Sequence, residues 1–144
     1  MLAGCSESGS VPEIQAAADC DASVVYRDAE YLCHIRYVDR NTASVTLLSP
    51  EGVSGLTFTR GGGEYSCSLG ALLCRNTAAE EGSLYDEVFG VFDILAETAP
   101  DSVRRAADDR FEFTYDGMTL TADGSGRPLS TKNGNITIKM AAPS

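Results

Sequence analysis

The sequence predicts an α+β fold: a strongly curved antiparallel sheet, a half-barrel of about eight or nine strands, covered by one main helix at about 83–98. Three observations predict it. Apolar and polar residues alternate with a period of two over most of the chain, as in strands that bury one face. Only the stretch from Ser83 to Thr98 switches to a strong helical spacing. Pairs such as Asp116-Gly117 and Asn133-Gly134 punctuate the strands closely, so that neighbours in sequence pair in space.

Val11 to Ala18 carries Pro12, which suits a first helical turn, and predicts a short helix. From Cys20 the period is two. Cys20, Ala22, Val24 and Tyr26 share a face, and Arg27-Asp28-Ala29-Glu30 turns the chain. Tyr31, Cys33, Ile35 and Tyr37 then face one way, with His34 and Arg36 on the other side. A third strand is expected near Ala43–Leu48, ending at Ser49-Pro50. Leu56 and Phe58 mark a fourth, and Gly61-Gly62-Gly63 turns into a fifth, on which Tyr65, Cys67 and Leu69 align.

Ser83 is a candidate helix cap with Asp86 three residues on. Tyr85, Val88, Phe89, Phe92 and Leu95 form the apolar stripe, and Asp86, Glu87, Asp93 and Glu97 are expected on the opposite side. Asp101–Asp109 is polar and reads as a loop or a short helical turn. Across Asp116-Gly117, Tyr115 is set against Met118, Phe113 against Leu120 and Phe111 against Ala122. A slip of one residue would put the aromatics in water, so this register is strongly specified. A last hairpin is expected around Asn133-Gly134. A single sheet of this length curls, its apolar side needs a cover, and the helix supplies one.

Composition excludes several functions. With 21 acidic and 11 basic side chains the formal charge is −10, the wrong sign for nucleic acid or for electrostatic docking on anionic lipid. Of five cysteines, Cys20, Cys33, Cys67 and Cys74 allow three pairings once Cys5 is set aside, with free apolar packing favoured over a full disulfide set. There is no Cys-x-x-Cys and one histidine, His34, so neither metal nor cofactor is expected. His34 reads as a surface strand histidine. The neighbouring acids Asp108-Asp109 and Glu80-Glu81 read as solvated loop residues, and the glycine triplet lacks the Lys-Ser/Thr of a phosphate loop. Asp123-Gly124-Ser125-Gly126-Arg127 reads as a turn, not a calcium loop. The expectation is therefore a protein that is not an enzyme.

Leu2-Ala3-Gly4-Cys5 resembles the lipobox of bacterial lipoproteins, in which a signal peptidase cuts before the cysteine and its sulfur takes up a diacylglycerol. The resemblance implies lipidation at Cys5 and a place on the extracytoplasmic face of the cell membrane. The rest of the signal peptide, a basic start and an apolar stretch of about 7–15 residues, is expected upstream of Met1. Residues 1–5 are then a lipobox remnant, 6–18 a flexible tether and 19–141 the folded body.

That body resembles the LolA/LolB-like lipoproteins, an unclosed β-barrel fold found also in uncharacterised Gram-positive lipoproteins. The residues that carry the likeness are "DASVVYRDAEYLCHIRY", "VTLLSPEGVSGLTFTR", the mid-chain helix and "FTYDGMTLTADGSGRPLS". In that family the hollow between sheet and helix takes acyl chains or lipids. The resemblance implies a similar cavity lined by Tyr26, Tyr31, Ile35, Tyr37, Phe58, Tyr65, Phe89, Phe92, Phe113 and Tyr115. Two functions remain open. One is a membrane-anchored, lipid-binding lipoprotein of the cell envelope. The other is an interaction module with a solid core, which holds an envelope protein or a second copy of itself through a sheet edge.

Overall fold

One unclosed, curved antiparallel sheet dominates the computed structural model, which describes residues 11–75 and 83–141. Its strands are β1 (Ala18–Tyr26), β2 (Ala29–Asp39), β3 (Thr42–Ser49), β4 (Thr57–Gly61), β5 (Glu64–Leu69) and β6 (Leu72–Arg75). After the helix α1 (Leu84–Glu97) come β7 (Ser102–Ala107), β8 (Arg110–Tyr115), β9 (Met118–Asp123), β10 (Pro128–Asn133) and β11 (Ile136–Met140). The spatial order is β6-β5-β4-β3-β2-β1-β11-β10-β9-β8-β7, and every pairing is antiparallel. The first strand and the last are thus partners in the middle of the sheet, and β6 and β7 are its two edges among the described residues.

The expected registers are present. Tyr115 lies opposite Met118, Phe113 opposite Leu120 and Phe111 opposite Ala122, and all six are buried. Gly62 and Gly63 form the β4–β5 turn with φ of 59° and 84°, the left-handed conformation that a two-residue hairpin of this hand requires. The final hairpin turns on Gly134-Asn135, one residue later than expected, because Asn133 still pairs with Ile136.

Ser83 caps α1, its hydroxyl accepting from the Asp86 amide at 3.3 Å. Val88, Phe89, Val91, Phe92 and Leu95 pack into the concave side with Val24, Ile35, Val45, Leu120, Ile136 and Ile138. Burying a set of this kind stabilises by roughly 1.5–3 kcal/mol per large side chain before chain entropy is counted.

Three expectations are corrected. The sheet has eleven strands among the described residues, more than eight or nine, because the edges β6 and β7 add to those that alternation marks. The segment Asp101–Asp109, expected as a loop or helical turn, contains β7. Every residue of β6 and β7 is exposed, so neither carries the alternation of a half-buried strand. Residues 11–17 form no helix. They run extended into β1 with alternating exposure, Pro12, Ile14 and Ala16 being turned toward the body. Residues 1–10, which hold the Cys5 expectation and part of the tether, and residues 76–82, which hold Glu80-Glu81, lie outside the described residues.

Candidate functional site

The space beneath α1 is occupied by side chains. Ile35, Tyr37, Phe89, Phe92, Phe113 and Tyr115, six of the ten residues expected to line a cavity, are buried in the core. Tyr26, Tyr31, Phe58 and Tyr65 are half-buried against it. Phe58 stacks on Tyr85 with centroids 4.3 Å apart, and Tyr37 stacks on Phe92 at 5.4 Å. These rings meet one another across the sheet–helix boundary. Two of the expected lining residues, Phe92 and Phe113, also border open grooves at the margin of the core.

The grooves arise from the segment before β1. Gln15 is fixed to the β9–β10 turn: its amide donates to the Gly126 carbonyl at 2.9 Å and its side chain to the Ser125 carbonyl at 2.8 Å. Gly126 has a φ of 89°, and a Cβ there would collide with the Glu13 carbonyl oxygen. Only glycine lets the two backbones approach in this way. On one side of the segment lies a groove of about 400 Å³, bounded by Ala17, Ala18, Cys20, Phe92, Pro128 and Met140, with Asp19, Asp21 and Arg127 at its rim. On the other side lies one of about 530 Å³, bounded by Val11, Pro12, Ile14, Ala16, Leu95, Ala96, Pro100 and Phe113, with the polar Glu13 and Thr98 among them. Both are within the size class of small-molecule sites. Arg127 is partly exposed and stands 3.6 Å from Asp123.

Beside the rings sits a polar cluster that the sequence reading missed. Asp93, expected on the solvent side of α1, is buried. Its Oδ1 accepts from the Tyr37 hydroxyl at 2.7 Å and from Arg60 Nη2 at 2.7 Å, and its Oδ2 accepts from Arg60 Nη1 at 3.0 Å. Arg60 lies 4.9 Å over the Phe89 ring. Arg40 reaches Asp93 at 3.4 Å and makes a bidentate pair with Glu97 at 2.7 and 2.8 Å. Burial opposes ionisation of Asp93, but hydrogen bonds from Arg60 and Tyr37 and the nearby charges of Arg60 and Arg40 outweigh it, and the carboxyl is held below its ordinary value. Burial, with the hydrogen bond to Asp93, drives the Tyr37 hydroxyl upward. The cluster fastens α1 to β2, the β2–β3 turn and β4. Its signal in the sequence is Arg60 on the same parity as Phe58, a charge on a face otherwise apolar.

The convex face carries His34. Its Nδ1 lies 2.7 Å from Asp21 Oδ1 and its Nε2 2.7 Å from Asp19 Oδ1, on the polar face as expected. The hydrogen bond with Asp21 raises the imidazole pKa; burial opposes it, and the hydrogen bond with Asp19 and the charges of both acids add to the rise. Cys33, its neighbour, points into the core, where burial pushes its thiol up to about 11. Asp123 Oδ1 is engaged within its own turn by Ser125 N, Ser125 Oγ and Arg127 N at 2.6–3.1 Å. Asp109 Oδ1 accepts from the Gly124 amide at 3.0 Å. Both carboxylates serve as turn anchors.

No family model matches the sequence, and no curated protein matches it. Among solved structures the chain is similar to an uncharacterized conserved protein from Thermus thermophilus, with 14% identity over 87% of this chain and 77% of that one and a TM-score of 0.49. It is also similar to a LolA superfamily protein from Nitrosomonas europaea, with 15% identity, 80% of this chain and 61% of that one covered, and a TM-score of 0.40.

Proposed function

We propose that the protein is a non-enzymatic binding protein for an apolar, chain-like ligand such as an acyl chain or lipid, held at the margin between sheet and helix. The observation that carries this reading is the pair of grooves flanking residues 11–17, each with an apolar wall that reaches a core aromatic, Phe92 in one and Phe113 in the other. Because the interior is filled, this reading puts the ligand at the borders of the extended segment and not beneath α1. Asp19, Asp21 and Arg127 give the smaller groove a polar rim beside its apolar wall, which suits a ligand with a polar head and an apolar chain.

The test is uptake of a fluorescent fatty acid by delipidated protein, with native mass spectrometry for lipid that co-purifies. Saturable uptake is expected. Ala17→Trp and Ala96→Trp, at exposed positions on the two groove walls, are expected to weaken it tenfold or more in the groove that binds. Absence of uptake, or uptake indifferent to both substitutions, overturns the reading.

In the same reading Cys5 carries the lipid that moors the protein to the extracytoplasmic face of the cell membrane. The support is Leu2-Ala3-Gly4-Cys5 followed by the polar Ser6–Ser10. Metabolic labelling with an alkyne fatty acid is expected to mark the native protein, and Cys5→Ala is expected to abolish the mark and release the protein from the membrane fraction. A labelled Cys5→Ala variant would exclude that attachment point.

A second reading, an interaction module for an envelope protein or a second copy, is favoured by a different observation. The edge hairpin β5–β6 exposes Leu69, Leu72 and Leu73, with Leu72 72% exposed. A stoichiometric partner in pull-downs from detergent-solubilised membranes, together with failed fatty-acid uptake, would favour this reading over the first.

A further inference from the structure

We propose that Cys67 and Cys74 form an oxidisable pair, a cross-strand disulfide site that staples the edge strand β6 to β5. The inference stands apart from the ligand reading. It rests on register: Cys67 is directly opposite Cys74, between the pairs Ser66–Arg75 and Ser68–Leu73. Side chains at directly opposed positions of an antiparallel pair lie on the same face. Their Cα atoms are about 4.5–5.5 Å apart, inside the span of about 4.4–6.8 Å that a disulfide bridges. The hairpin fixes this register through the tight turn Gly70-Ala71, with Gly70 at a φ of 59°.

The surroundings select this pair over the others. Cys33 is wholly buried, and Cys20 lies opposite Ile35, not opposite Cys33. Cys74 is exposed and Cys67 is half-buried. β6 has no further strand beyond it among the described residues, so its backbone can adjust to close the bond. Cys74, the exposed member, meets a soluble oxidant first, and the half-buried Cys67 opposite it is placed to resolve the mixed disulfide.

The chemistry is thiol–disulfide exchange with a small disulfide or a thiol oxidoreductase as oxidant. The Cys74 thiolate, its proton lost to solvent, attacks one sulfur of the oxidant. The oxidant's S–S bond breaks and one thiolate leaves, giving a mixed disulfide on Cys74. The Cys67 thiolate then attacks the Cys74 sulfur and expels the second thiolate. Two cysteines lose two electrons and two protons, and the oxidant's disulfide becomes two thiols.

A single tryptic peptide reports the outcome. Cleavage after Arg60 and Arg75 releases residues 61–75, which contain Cys67 and Cys74 and no other cysteine. The reduced full chain is exposed to glutathione disulfide at mildly alkaline pH, alkylated with iodoacetamide under denaturing conditions and digested. The peptide is expected two hydrogens lighter than its reduced form, without alkyl groups, and to accept two after dithiothreitol. Cys67→Ser is expected to leave Cys74 as a glutathione adduct. Two alkylatable thiols persisting in the peptide after oxidation would overturn the proposal. So would a stable glutathione adduct in the unsubstituted protein, or either cysteine linked to Cys5, Cys20 or another chain.

Discussion

Arg60 on β4 and Asp93 on α1 meet as a bidentate pair at 2.7 and 3.0 Å within the sheet–helix boundary. Buried ion pairs recover their desolvation cost only when both partners are present. Asp93→Leu alone is therefore expected to destabilise by about 3–5 kcal/mol, because Arg60 is left charged beside Phe89. Arg60→Met with Asp93→Leu is expected to recover most of that loss. Urea unfolding of the native protein, Asp93→Leu, Arg60→Met and the double variant checks it, and additive losses would show that the two residues do not act as a pair.

The same carboxylate sets an acid limit. A carboxyl held below its ordinary value stabilises the fold above the unfolded-state pKa, about 3.9. That contribution fades as pH falls through the folded value. Stability of the native protein is expected to drop on acidification below about pH 4, where Asp93 begins to protonate in the unfolded chain. Asp93→Asn, already weaker, is expected to show a shallower loss over that range. Urea midpoints collected from acid to mildly acidic pH, on both sides of that value, test this, and parallel curves would count against it.

His34 works in the opposite direction. A histidine held above its ordinary value of about 6.5 stabilises the fold fully below that value and loses the contribution as pH rises through the folded one. Its partners Asp19 and Asp21 are exposed, so the effect is screened and amounts to a few tenths of a kcal/mol. Relative to His34→Gln, the native protein is expected to lose that margin as pH rises above about 6.5, and to lose it at low pH in high salt. An NMR titration of the single imidazole is expected to give a midpoint above about 6.5.

Gly126→Ala is expected to cost roughly 1–3 kcal/mol, combining a left-handed backbone with displacement of the Glu13 carbonyl. The loss should concentrate in the segment before β1. Faster hydrogen exchange at Gln15, with the β8–β9 amides unchanged, is the expected signature. Uniform acceleration across the sheet would mean that the segment is not a separately released unit.

The parts of this fold legible in the sequence are those where two independent signals agree. The β8–β9 hairpin combines a two-sided alternation with Asp116-Gly117, and its register is present to the residue. For α1, the Ser83–Asp86 cap and the apolar stripe point the same way. The edges β6 and β7 give neither signal, since strands exposed on both faces need no alternation. Asp93 reads as a surface residue by its charge alone. Its burial depends on Arg60, which is 33 residues away and reaches it only once β4 lies under the helix. At 11–17 the helix-starting preference of Pro12 competes with the alternation of Pro12, Ile14 and Ala16, and packing decides for the alternation. Strand parity turns the aromatic residues to the inner face. Whether such a face encloses a ligand or closes on itself is decided by side-chain volumes in three dimensions, which periodicity does not contain.

The pairing of β1 with β11 has a topological corollary. If the chain were relinked there and reopened between Arg75 and Ser83, its strands would run β7 through β11 and then β1 through β6. Space and sequence would then follow a single unbroken meander. Such a circular permutant would keep every strand contact while shortening the average loop that folding must close, and topology of that kind favours faster folding.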